Sequence, residues 1–386
     1  MTEFTKWIED PHKMVQDWKE KNKKDVWGYF CCVVPEEMIY AAGILPMRIM
    51  GSSERIEKVD EYVPPYGCQF VRSCLDLAGR GKYDYLDRVV IPNTCDLVAR
   101  CEYFWRAISP KKTPTQAGLE IVPNVIYMRY PLKTDGKGVF KYILMELRQL
   151  KQYLERYIHE PLTDEKLTDA IKVYNEHYEL MRRFHDLRKQ DPLPVSGYEA
   201  WEAEITSLLM PKDQHNELMR DYLQKLNTDH NKPKQGVRLY LSASALDPQG
   251  AKLYKLIEEC GGQVVSEDIS VNTSYFWNKF DNSLPCLEAI ADRILKIPCS
   301  RSTCRESNPF NRYNYLERTM EGHRIEGAIF YNLRYCECRS LEYPRIRDRL
   351  QRELNMPTLF LEGDYTEGGL EQLRGQIEAF VEMLGD

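Results

Sequence analysis

A chain of 386 residues is too long for a single small core and fits two domains with a connecting region. Its 43% apolar and 29% charged residues are those of an ordinary globular protein, and a formal net charge of −6 gives no general pull toward nucleic acid or an anionic membrane. No apolar run approaches the ~20 residues of a membrane span. The stretch from Met1 to Asp10 carries mixed charge without the apolar segment of a signal peptide, so a cytoplasmic protein is expected.

Residues 1–24 are expected as an N-terminal helical segment, followed by a first α/β domain over 25–137. Val26 to Cys31 reads as a short buried strand. Pro35 and two glutamates then open a helix, with proline at an early position and acids in the first turn. That helix ends at Gly43, and Leu45 to Met50 returns as a strand. Tyr85 to Ile91 is a further strand, Asp96 onward is helical, and Asn124 to Met128 is again strand.

Residues 138–235 form a helical connecting region. Ile143, Leu147, Leu150 and Leu154 recur at spacings of three and four, and Thr163 is placed to cap a helix whose first turn holds Asp164 and Glu165. The polar run from Asn227 to Gly236 reads as a linker. The second α/β domain covers 236–386, with strands at Val237–Leu241, Gln263–Val265, Gly327–Tyr331 and Pro357–Leu361. Helices lie near Ala251–Glu259, Tyr343–Leu354 and Leu370–Leu384. Alternation of strand and helix with short connections predicts an α/β fold of two doubly wound parallel-sheet domains joined by helices.

Twelve cysteines are more than a cytosolic chain of this size needs as staples, leaving metal ligation, redox chemistry or burial as small hydrophobes. Their placement argues against filler. Cys31 ends the first strand, Cys95 and Cys336 each follow a strand, Cys68 opens a helix, and Cys299 leaves one. In open parallel sheets ligands bind beyond the carboxyl ends of the strands, and helix amino termini favour the thiolate that binds metal. The spacing lacks the paired Cys-x-x-Cys knuckles of structural zinc and the close run of a ferredoxin. What remains is one interdomain site of ligands distant in sequence; the spacing favours iron–sulfur and leaves a dispersed zinc site open.

Several segments sharpen this reading: Val34-Pro-Glu-Glu-Met-Ile-Tyr-Ala-Ala-Gly-Ile-Leu-Pro-Met-Arg48, Cys68-Gln-Phe-Val-Arg72, Asn93-Thr-Cys-Asp96, Arg334-Tyr-Cys-Glu337 and Leu361-Glu-Gly-Asp364. Over nearly its whole length the chain resembles the subunits of 2-hydroxyacyl-CoA dehydratases and benzoyl-CoA reductases. The resemblance implies two flavodoxin-like domains with an iron–sulfur cluster in the cleft between them, and Cys68, Cys95 and Cys336 carry over as ligands. It also implies a homologous second cluster-binding subunit, an ATP-hydrolysing iron–sulfur activator that delivers electrons, and an acyl-CoA substrate.

Departures from the family pattern matter as well. Cys336 is followed by Glu337-Cys338 where the dehydratases usually carry Asp-Pro. Cys31 and Cys299 are similar to cysteines of a branch that holds a double-cubane cluster, which needs about six thiolates. The cofactor is thus expected as a 4Fe-4S cubane or an 8Fe-9S double cubane, with the sixth ligand among Cys74, Cys101, Cys304 and Cys338. The reading leans toward the smaller, C-type subunit of an ATP-dependent benzoyl-CoA reductase, with a dehydratase small subunit or a double-cubane reductase of other substrate as alternatives. No catalytic acid is named, since His177 and His185 read as packed or solvated helix residues. Tyr62, Tyr66, Tyr83 and Tyr85 read as packing residues before pocket-lining ones.

Overall fold

The computed structural model describes residues 3–109, 112–115, 118–121, 124–228, 235–246, 250–269, 273–299, 311–364 and 367–385. Helices α1 (Glu3–Glu9) and α2 (Pro11–Asn22) come first. Asp10 caps α2 by accepting from the Lys13 backbone N–H, and Pro11 occupies a position where its missing N–H costs nothing.

Next come β1 (Val26–Tyr29), α3 (Glu36–Ala41), β2 (Leu45–Arg48), α4 (Gln69–Gly79), β3 (Arg88–Pro92) and α5 (Asp96–Ile108). A two-stranded antiparallel hairpin, β4 (Lys112–Thr115) with β5 (Gly118–Ile121), leads into β6 (Val125–Met128). The first sheet is fully parallel, in the order β2-β1-β3-β6.

Four helices connect the sheets: α6 (Val139–Ile158), α7 (Asp164–Leu187), α8 (Gly197–Ser207) and α9 (Lys212–Thr228). Thr163 caps α7 by accepting from the Lys166 N–H, and Ser196 with Glu199 makes a reciprocal capping box on α8. Tyr153 and Tyr157 of α6 meet the buried Trp27 of β1 edge-on at 5.9 and 5.1 Å, which fixes this helix on the first sheet.

The second unit runs β7 (Val237–Ala243), α10 (Gly250–Glu259), β8 (Gly262–Asp268), α11 (Thr273–Phe276), α12 (Cys286–Lys296), α13 (Arg312–Met320), β9 (Gly327–Leu333), α14 (Glu337–Leu354), β10 (Thr358–Gly363), α15 (Glu367–Glu371) and α16 (Arg374–Gly385). Its sheet is again all parallel, in the order β10-β9-β7-β8. Taken from the β8 edge of the second sheet and the β2 edge of the first, both share one arrangement: second, first, third, fourth strand. Each therefore has a switch point between its first and third strands, where the connections diverge and a crevice opens. One continuous hydrophobic core includes residues of both sheets and of the helices between them.

The expected α/β architecture of two parallel sheets is the observed one. Local differences have local causes. The strand expected from Tyr85 begins at Arg88, because Tyr83 to Leu86 forms a turn in which the Leu86 N–H bonds the Tyr83 carbonyl at 3.0 Å. The helix expected from Tyr343 begins at Glu337 and carries Pro344 in its interior. The closing helix is split into α15 and α16. Of the expected 227–236 linker, Asn227 and Thr228 belong to α9, and residues 229–234 lie outside the described residues. Among the described residues no helix is long and apolar enough to cross a membrane.

Candidate metal centre

The two switch points open onto a single cavity of about 250 Å³. From the first sheet come Cys31 and Cys32 after β1, and Thr94 and Cys95 after β3. From the second sheet come Ser244 and Ala245 after β7, and Tyr335 and Cys336 after β9. Cys68 enters from the start of α4, Cys299 from beyond α12, and Cys338 from the first turn of α14. Seven sulfurs drawn from both α/β units thus line one space.

The local folding at three of these positions is the same. Cys68, Cys95 and Cys336 are the N-cap residues of α4, α5 and α14. None makes a full side-chain capping hydrogen bond, but the backbone N–H three residues on (Val71, Val98 and Arg339) lies close enough to favour each thiolate. Three helix amino termini therefore aim partial positive charge at sulfur. Two other lining residues have left-handed backbone, Cys31 at φ 62° and Tyr335 at φ 63°. Such conformations are costly for non-glycine residues and cluster where a site demands them.

Neighbouring thiols shift one another's acidity: Cys336 acts on Cys68, Cys338 on Cys95, and Cys299 on Cys32. The neighbouring Cys68 thiol holds Cys336 down to about 6, and Cys336 in turn pushes Cys68 up. Contact with Cys338 lowers Cys95 in the same way. Cys31 stands apart: burial pushes its thiol up to about 11, and its partner is the Thr94 hydroxyl at 2.9 Å. Arg48, only 1% exposed, lines the cavity and favours thiolate at both Cys31 and Cys32.

Among the described residues, no group of three or more His, Cys, Asp or Glu is gathered tightly enough for a single metal ion. A zinc ion needs about four donors at 2.0–2.3 Å from one point. Here the sulfurs form the wall of a chamber instead.

A family model described as 2-hydroxyglutaryl-CoA dehydratase, D-component, matches residues 31–384. The chain belongs to that family. It is similar to a benzoyl-CoA reductase subunit (the one designated C) of Thauera aromatica, at 25% identity over 96% of this chain and 93% of the relative. It is also similar to the (R)-phenyllactyl-CoA dehydratase beta subunit of Clostridium sporogenes, at 24% identity over 99% of this chain and 98% of the relative. The (R)-2-hydroxyglutaryl-CoA dehydratase beta subunit of Acidaminococcus fermentans follows at 22%, over 99% and 98%. Membership makes this chain a subunit of an enzyme of the dehydratase and benzoyl-CoA reductase group.

All five cysteines singled out from the sequence of this family member, Cys31, Cys68, Cys95, Cys299 and Cys336, line the cavity. Of the candidates for a sixth position, Cys338 lines it as well. Cys74 and Cys101 are fully buried in the hydrophobic core away from it, and Cys304 lies outside the described residues. Cys32 was missed; its adjacency to Cys31 was the available signal. Arg48, Arg312, Arg339 and Asp268 were missed too, and their roles arise only from tertiary packing. Tyr66, 70% exposed, lines the cavity mouth, whereas Tyr83 is core and Tyr85 packs against it. His177 and His185 are buried and do not line it.

Proposed function

We propose that this chain is the iron–sulfur subunit of an acyl-CoA enzyme of the ATP-dependent benzoyl-CoA reductase type. The observation that carries the reading is the convergence of seven cysteines from the two α/β units on one largely apolar chamber at both switch points. The donor set suits a polynuclear group: thiolate-rich, spread over a wall and, among the described residues, without carboxylates or imidazoles gathered for a single ion. Cys31, Cys68, Cys95, Cys299 and Cys336 hold the cluster, with Cys338 as sixth ligand and Cys32 as thiol partner of Cys299. Six thiolates fit the 8Fe-9S double cubane better than the 4Fe-4S cubane.

A bound iron–sulfur cluster supplies electrons at low potential for reduction of a group conjugated to the thioester. The protein's part is electrostatic and steric. Three helix amino termini and the Arg48 guanidinium offset the charge of gathered thiolates. Phe70, Val71, Leu97, Val98 and Phe104 make an apolar wall that limits water, the competing proton source. As the family resemblance implies, electrons would come from an ATP-hydrolysing iron–sulfur activator, and a homologous second subunit would complete the acyl-CoA site.

A dehydratase, in which hydroxide leaves and the electron is recycled, is the second reading; near-equal similarity to the (R)-phenyllactyl-CoA dehydratase subunit favours it. Iron, sulfide and zinc measured on one anaerobically purified sample separate the readings. About eight irons per chain are expected, about four would support the dehydratase form, and stoichiometric zinc without sulfide would overturn both.

A further inference from the structure

Cys299 reaches the chamber by a different route from the other ligands of the proposed cluster. Cys31, Cys95 and Cys336 follow strands, and Cys68, Cys95 and Cys336 cap helices, so sheet topology and helix starts place them. Cys299 instead trails α12, beyond its last residue, Lys296. Its connection is pinned at successive backbone groups. The Asn278 side-chain amide donates to the Lys296 carbonyl at 2.7 Å, and the Cys299 N–H closes a tight turn on the Ile297 carbonyl at 2.8 Å. The Arg312 guanidinium then donates to the Pro298 carbonyl at 3.2 Å. Asn311 caps α13, which puts Arg312 at its first position, in the chamber wall. The same guanidinium pairs with Asp268 at the end of β8 and donates to both oxygens of Glu342 on α14, at 3.0 and 2.9 Å. One side chain thus joins the peptide before Cys299 to the helix that Cys336 caps, and Arg339 of that helix shares both carboxylates.

We propose that Arg312 is the positioning residue for Cys299, setting that sulfur relative to Cys336 and thereby the size of the cluster the chamber takes up. The inference rests on the iron–sulfur reading and deepens it. Metal ligands must be held close to their productive geometry before binding, and removing an outer partner typically costs about 10–100-fold in metal affinity. Arginine suits the task because its planar fork carries five donors and can serve two carboxylates and a carbonyl at once. Lysine carries the same charge at a single point and cannot span all three. Without Arg312 the Pro298 carbonyl loses this donor and the Cys299 connection is no longer tied to α14. Cys68, Cys95 and Cys336, placed by their helix starts, then remain for a single cubane, while the double cubane lacks one of its six thiolates.

The test compares full-length wild type with Arg312→Lys, which keeps the charge, and Arg312→Met, which removes it, all purified anaerobically. Iron per chain is measured, and each folded protein is alkylated and mapped by mass spectrometry. Wild type is expected to hold about eight irons, with Cys68, Cys95, Cys299 and Cys336 all protected. Arg312→Lys is expected to hold about four, with Cys299 alkylated at least about 10-fold faster while the other three stay protected. Arg312→Met should behave alike, and the lysine variant carries the test if the methionine variant does not fold. Adding Arg312→Lys to Cys299→Ser should remove no further iron, because Arg312 acts through Cys299. Thr163→Ala, which weakens the start of α7 away from the chamber, should keep all its iron and so separates positioning from stability. Full iron with Cys299 protected in Arg312→Lys, or equal loss of protection at all four cysteines, would overturn the proposal. A wild type without iron would sink the iron–sulfur reading itself, whereas a loaded wild type beside an unaffected Arg312→Lys sinks the positioning role alone.

Discussion

Asp268, at the end of β8, is fully buried and lines the chamber wall between two guanidinium groups. Arg312 and Arg339 both pair with it, and both also reach Glu342 at 2.9 Å. Burial alone would raise its pKa, but the two arginines outweigh burial and hold it at about 2 against an ordinary 3.8. That depression corresponds to roughly 2 to 3 kcal/mol of stability. Because the folded value is the lower one, this contribution is complete above pH ~4 and lost as pH falls toward 2, with roughly 1 kcal/mol gone at pH 3. Asp268→Asn keeps the shape, removes the charge, and leaves two buried cations sharing one carboxylate. Loss of one partner from a buried pair costs about 3–5 kcal/mol, so we expect roughly 3 kcal/mol of destabilisation at pH 7. Urea unfolding of both proteins at pH 7, 5 and 3, followed by far-UV circular dichroism, measures it. The gap between variant and wild type should narrow at pH 3. A gap under about 0.5 kcal/mol at pH 7, or one independent of pH, would refute the reasoning.

Thr163→Ala removes the side-chain acceptor for the Lys166 N–H at the start of α7 and should cost about 1 kcal/mol, read as a lower urea midpoint; an unchanged midpoint would mean the cap contributes nothing. Arg48→Met removes the cation that favours thiolate at Cys31 and Cys32. In the metal-free chain, burial should then push the Cys31 thiol above its present value of about 11. The pH profile of its alkylation should move to higher pH, and an unmoved profile would contradict the role given to Arg48.

Much of the fold could be read from the sequence because parallel strands announce themselves. Val89-Val-Ile91 and Gly327-Ala-Ile-Phe-Tyr331 are apolar runs bounded by turn residues, and both are buried strands. Elements whose boundaries depend on distant contacts were harder. Pro344 looks like a helix start, yet α14 begins seven residues earlier, at Glu337, where Cys336 is the cap. The same distinction governs the site. Cysteines at strand ends and helix starts were legible because the topology of a parallel sheet sends those positions to one crevice. Which further cysteine joins them was not. Cys74 and Cys101 each lie six residues beyond an N-cap cysteine, about 9 Å along the helix axis, and face the core instead of the chamber. Cys338 lies within the first turn and stays in the chamber.

The central claim is that sulfur from both units holds inorganic iron, and the most direct measurement is iron per chain in cysteine variants purified anaerobically side by side. Cys95→Ser and Cys336→Ser, at chamber positions from different sheets, should each lose a large share of the iron. Cys260→Ser, off the chamber at the end of α10, should retain all of it. Equal iron in all three, or equal loss in all three, would contradict the account.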